Sequence, residues 1–144
     1  MDVEQPAAAC LMVSRDALAA IEGFDEGFRP AWFEDVDLCR RIRNEGGRIR
    51  YQPNARFLHH GGYSLDMLPR GDFLEFFHRN QIRYFRKHHG PRPALQVKRL
   101  IVTGLFMRSL LSLVFPLAPH LSRTASAKTF WDAARRILAQ REAL

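Results

Sequence analysis

Cysteine is nearly missing from this sequence: Cys10 and Cys39 are the only two in 144 residues. Two isolated thiols cannot build the disulfide framework of a small secreted domain, and they fall short of a cysteine-rich zinc module. A reducing cytoplasm suits them. No basic segment precedes a hydrophobic run at the start, where Asp2 and Glu4 stand instead, so the opening residues do not read as a secretory signal. Internal repeats and low-complexity tracts are also lacking. With 47% hydrophobic and 26% charged residues, extended disorder is excluded over most of the length. A chain of this size makes one modest domain, able to bury ~68–70% of the surface its unfolded form exposes.

Acids are scarce beyond the first quarter of the chain. Residues 1 to 39 hold nine Asp and Glu against two Lys and Arg, whereas residues 40 to 144 hold six against twenty. The net charge of +7 therefore hides an acidic front and a basic back. A basic surface attracts phosphate-bearing partners, whether nucleic acid, anionic lipid or a sugar diphosphate, and charge alone does not choose among them.

Local patterns supply the order of parts. The apolar run AACLMV (8 to 13) predicts a buried strand, and Ser14 caps a short helix through about Glu22, stopped by Gly23. FDEGFRPAW (24 to 32) mixes aromatics with Gly27 and Pro30, which predicts a shaped loop of the kind that lines sites, ending in Trp32. From Glu34 the spacing of Val36, Leu38, Cys39 and Ile42 predicts a helix with arginines late in it and Gly46-Gly47 at its end. RIRYQ (48 to 52) and ARFLH (55 to 59) read as two short strands, with His59 and His60 at the mouth of the second. Residues 71 to 89 predict an amphipathic helix whose aromatics are core and whose bases are Arg79, Arg83, Arg86 and Lys87, terminated by HHGPRP (88 to 93). A strongly apolar stretch from Leu100 to Pro119, a polar SRTASAK segment and a final helix near Thr129 to Ala143 complete the chain.

The ordered set GFDE, FEDVDLCRRIRNEGGRIRYQP, RFLHHGGYS and HRNQIRYFRKHHG resembles the C-terminal, acceptor-side half of family 2 inverting glycosyltransferases, particularly the rhamnosyltransferase-like members, from residue 3 to about 90. The resemblance implies an α/β architecture: residues 1 to 92 as part of a GT-A (nucleotide-diphospho-sugar transferase) fold, with residues 93 to 144 as a helical, apolar and basic extension. It places the catalytic base on Asp35, with Glu34 beside it, so that one displacement inverts the anomeric carbon. Without those motifs, acids at a helix N-terminus would simply complement its dipole, and Asp37 reads as structural or as positioning the loop. The resemblance further implies His59 as ligand to a divalent metal, Mg or Mn, in a complete enzyme, and Trp32, His60, Gly62, Ser64, Arg79 and Asn80 as substrate-binding residues. A lone imidazole is no metal site, because hard cations need an oxygen-rich shell, and no DxD motif precedes the base motif. The expectation is thus a missing N-terminal half carrying DxD and the nucleotide crevice, and an isolated chain that does not turn over.

The implied partners are a nucleotide-sugar donor and an envelope glycan or lipid-linked acceptor. The tail reaches about the ~20 residues of a membrane span, but Arg108, Pro116 and Gly104 interrupt it, so lying in an anionic membrane interface, or packing on the globular part or on a partner, is the better expectation than spanning. Location is then cytoplasmic, peripheral on the inner face of the membrane. Two rivals remain: a non-catalytic membrane or partner adaptor on a relict transferase fold, and a basic nucleic-acid-binding module, the latter disfavoured.

Overall fold

The computed structural model describes residues 1–6, 8–60, 69–115, 117 and 121–140. The chain divides into two compact units, Met1–Tyr63 and Ser64–Leu144.

The first unit is built around two helices, α1 (Arg15–Ala20) and α2 (Glu34–Asn44), with short 3₁₀ turns at Ala8–Cys10 and Glu26–Phe28. Ser14 caps α1 by accepting from the Ala17 amide at 3.2 Å, satisfying one of the donors that a helix start leaves bare. α2 ends where Gly46 takes φ 81°, a left-handed conformation that costs glycine nothing. Leu38 and Ile42 on one face of α2 bury against Ile21, with Leu11, Val13 and Leu18 packed around them.

The second unit is a three-helix arrangement. α3 (Arg70–His89), α4 (Pro91–Ser112) and α5 (Arg123–Ala139) each pack on the other two. Gly90, at φ 89°, turns the chain between α3 and α4, and Pro91 sits in the first turn of α4, where its lost N–H has no helical partner to miss. Leu74, Ile82, Val102, Leu105, Phe130 and Ile137 form the core with Ala94, Ala133 and Ala134. Each of the large side chains contributes about 1.5–3 kcal/mol on burial. Small residues let α4 and α5 approach: Ser109 Oγ donates to the Ala127 carbonyl at 2.8 Å, and Ser126 Oγ bonds Ser112 Oγ at 3.2 Å.

The expected α/β architecture is overturned. Among the described residues there is no sheet, only an isolated antiparallel bridge between Asp2 and Arg50, flanked by bonds from the Val3 amide to Ile49 O (3.0 Å) and the Tyr51 amide to Met1 O (2.9 Å). The run 8 to 13 is a 3₁₀ turn followed by irregular chain, and 55 to 59 forms no strand. The physical reason is that a strand exists only where a neighbour takes its backbone hydrogen bonds. Leu11 and Val13 bury against helices instead, which accounts for their apolar character without any ladder. The helical extension begins earlier than expected, at Pro91, and no helix among the described residues is long and apolar enough to cross a membrane.

Candidate functional site

The Glu34-Asp35 pair heads α2, and the backbone before it is unusual. Trp32 and Phe33 adopt φ 72° and 71° in succession. Bulky residues rarely enter the left-handed region, at a cost of about 1–3 kcal/mol each. Such conformations persist only when surroundings impose them. Here they turn the loop into α2, whose N-cap residue Phe33 makes no side-chain cap but accepts from the Asp37 amide at 2.9 Å.

α2 itself is anchored. Asp37 is fully buried and receives Arg41 Nε at 2.7 Å, one turn on. The same guanidinium donates to the carbonyls of Ile21 at 2.5 Å and Gly23 at 2.7 Å, just past the end of α1. One arginine thereby ties α2 to the C-terminal end of α1 and neutralises the buried carboxylate, the geometry in which a buried ion pair is satisfied. The reading of Asp37 as structural is met. Arg41 was missed, although the i, i+4 spacing from Asp37 was the signal.

The two acids at the helix head differ in environment. Asp35 is half-buried, and its carboxylate accepts from the Ala8 amide (3.2 Å) and the Val36 amide (2.8 Å). Glu34 is the opposite case: its Oε2 is buried with no hydrogen bond among the described residues. Burial pushes its carboxyl above the ordinary 4.5, the Asp35 charge adds to the rise, and a bond to its own backbone opposes it. Nearby, Cys39 is buried and unreactive, its thiol pushed up by burial and then by Asp35.

The remaining predicted site residues are dispersed. Trp32 lies in the strained turn, half-buried. His59 and His60 are exposed on irregular chain. Gly62 and Ser64 fall outside the described residues. Arg79 and Asn80 belong to α3 in the second unit, Arg79 with its guanidinium 5.1 Å from the centre of the Phe76 ring and Asn80 fully buried. No group of three or more His, Cys, Asp or Glu that could hold a metal ion occurs among the described residues. A divalent cation requires several oxygen ligands, and among the described residues none are gathered with His59.

N-acetylglucosaminyl-diphospho-decaprenol L-rhamnosyltransferase of Mycobacterium tuberculosis, in strains CDC 1551 / Oshkosh and ATCC 25618 / H37Rv, is 33% identical over 81 residues, 56% of this chain and 26% of the relative. The chain is similar to a glycosyltransferase. The aligned part spans about a quarter of that relative's length. The uncharacterized protein y4gI of Sinorhizobium fredii (strain NBRC 101917 / NGR234) is 36% identical over 53 residues, 37% of this chain and 6% of the relative. No protein-family model matches the chain. No solved structure matches it.

Proposed function

We propose that this chain supplies the acceptor side of an inverting sugar transfer, of the family 2 type, from a nucleotide-activated donor to a hydroxyl of a lipid-linked or envelope glycan. The observation that carries the reading is the unequal carboxylate pair at the head of α2. Asp35 is anchored by two amides and remains partly accessible, so its carboxylate is held where an acceptor hydroxyl can reach it. Glu34 has a buried oxygen with no hydrogen bond among the described residues, so that oxygen is withdrawn from an acceptor hydroxyl.

In the proposed step the acceptor oxygen forms a bond to the anomeric carbon while its proton passes to the Asp35 carboxylate. The bond from that carbon to the nucleoside diphosphate breaks on the opposite face, which inverts the configuration. Trp32, in the turn before the pair, is offered as the residue that orients the acceptor ring. His60 is offered as a further substrate contact, and Asn80, fully buried, as a support for its helix. Similarity to a rhamnosyltransferase supports the reaction class, and the acceptor named for that relative, a diphospho-decaprenol, suggests the acceptor chemistry. Because the aligned part is a fraction of the relative, turnover by this chain is proposed only together with the donor-binding remainder. The test is a transfer assay with the chain joined to the part of the Mycobacterium protein outside the alignment, comparing Asp35→Asn with Glu34→Gln.

A further inference from the structure

The outer face of α4 is apolar. At 3.6 residues per turn, Leu100, Met107 and Leu111 fall within about 40° of one another around the helix, on the side opposite Val102, Leu105 and Ser109. The latter three are buried in the three-helix unit, whereas Leu100 is 73% exposed, Met107 57% and Leu111 44%. Leu110 within the helix is 63% exposed, and Val114 and Phe115 past its end are 61% and 56% exposed. A helix that is apolar toward both its core and its solvent side is not complete as a water-facing element.

The charge on α4 itself has one sign: its ionisable residues are Arg92, Lys98, Arg99 and Arg108, with no Asp or Glu. Arg99 and Arg108, both exposed, flank the stripe on either side by the same helical geometry. A second copy would bring like charges together at its rim, and an uncharged apolar partner would leave the arginines unanswered. A surface both apolar within and anionic at its boundary answers both features.

We propose that the outer face of α4 docks on an anionic lipid bilayer, lying in the headgroup region with Leu100, Met107, Leu110 and Leu111 entering the acyl boundary and Arg99 and Arg108 meeting lipid phosphates. Such helices sink about 5–10 Å below the headgroups and bind through apolar area and lipid charge together. The face lies on the membrane rather than through it, since no helix among the described residues can cross one. This inference stands on the three-helix unit alone and does not depend on sugar transfer.

The test is flotation of the full chain with phosphatidylcholine vesicles, with and without roughly one-third phosphatidylglycerol, a content that gives a surface potential of physiological sign. The expected result is binding at least about tenfold tighter to the anionic vesicles, weakening as salt screens the charges. Leu100→Gln, Met107→Gln and Leu111→Gln together should reduce it about tenfold or more, with helicity by circular dichroism unchanged. Arg99→Glu with Arg108→Glu should abolish the preference for anionic lipid. As a gain-of-signal measurement, Met107→Trp should be quenched by bromine-labelled acyl chains. The proposal is overturned by unchanged binding of the triple variant, by equal binding to neutral and anionic vesicles, or by absence of quenching. It is equally overturned if the chain floats with neither vesicle but sediments as a dimer that the triple variant dissolves, since a second copy would then cover the face.

Discussion

The two units of this chain are stabilised by different means. In Met1–Tyr63, short helices are held by a polar clamp: a single guanidinium reaches a buried carboxylate and two carbonyls, and the apolar cluster beside it rests on three buried residues, Ile21, Leu38 and Ile42. In Ser64–Leu144, three long helices share a nine-residue buried core, and polar groups serve mostly to let them approach. The difference explains where chemistry can reside. A unit fixed by a few directional bonds can hold Trp32 and Phe33 in a costly conformation and keep a carboxylate pair at a helix head. A unit fixed by packing leaves its outer faces free to carry an interaction surface.

Each unit contains one tryptophan, Trp32 and Trp131, so single-tryptophan variants report the two separately. The largest expected effects come from breaking each unit's main support. Asp37→Ala strands the Arg41 charge and should destabilise the first unit by about 3–5 kcal/mol, seen as a lower denaturant midpoint for Trp32 alone. Phe130→Ala opens a cavity in the second core and should cost about 3–5 kcal/mol, read on Trp131 alone. If either substitution shifts both signals equally, the chain unfolds as one cooperative body and the contrast fails.

The pH dependence of the two units should differ in sign and range. Glu34 is raised above 4.5 by burial, so the folded state favours its protonated form. Its contribution is complete below 4.5 and is lost as pH rises through the elevated value. Lys98, 5% exposed and donating to the Gln140 carbonyl at 2.7 Å, is lowered from 10.5 by burial, so the folded state favours the neutral amine. The second unit is therefore penalised while Lys98 is charged and gains stability as pH climbs from the lowered value toward 10.5. Glu34→Gln should remove the acid-range slope from the Trp32 signal, and Lys98→Met the alkaline slope from the Trp131 signal. Persistence of either slope in its variant would remove the assignment.

The smallest effects come from matched caps. Ser14 accepts from the Ala17 amide in the first unit and Ser122 from the Ala125 amide in the second, both at 3.2 Å. Each change to alanine should cost about 1 kcal/mol, confined to its own unit. A loss at Ser14 much above that at Ser122 would mean that α1 depends on its cap for lack of core.

Sequence reading reached the helices better than the rest. Ser14 before α1, the apolar face from Val36 to Ile42, and the glycines at 46 and 47 are local signals, and the elements formed near them. The stretch 71 to 89 was found almost to the residue, because its aromatics repeat on one face and Phe73 and Phe85 pack on the core. The strands failed because an apolar run states that a segment is buried, not what buries it. α5 was set too late: SRTASAK reads as polar loop, yet Ser122 is its cap, and Ser126 and Ala127 are small residues at the contact with α4. At the site, the carboxylates were legible as a pair at a helix head. Their unequal surroundings were not, since the Ala8 amide that anchors Asp35 is remote in sequence.

The central claim is that Asp35 accepts the acceptor's proton, and turnover in the joined chain tests it most directly. Asp35→Asn preserves shape and much of the hydrogen bonding while removing the charge that takes the proton, so kcat should fall by about 10²- to 10⁴-fold with donor binding little changed. Glu34→Gln should retain most of the activity, since its Oε2 is buried. Near-normal kcat in Asp35→Asn, with activity abolished in Glu34→Gln, would reverse the assignment; near-normal kcat in both would leave the pair as the head of a helix and contradict the account.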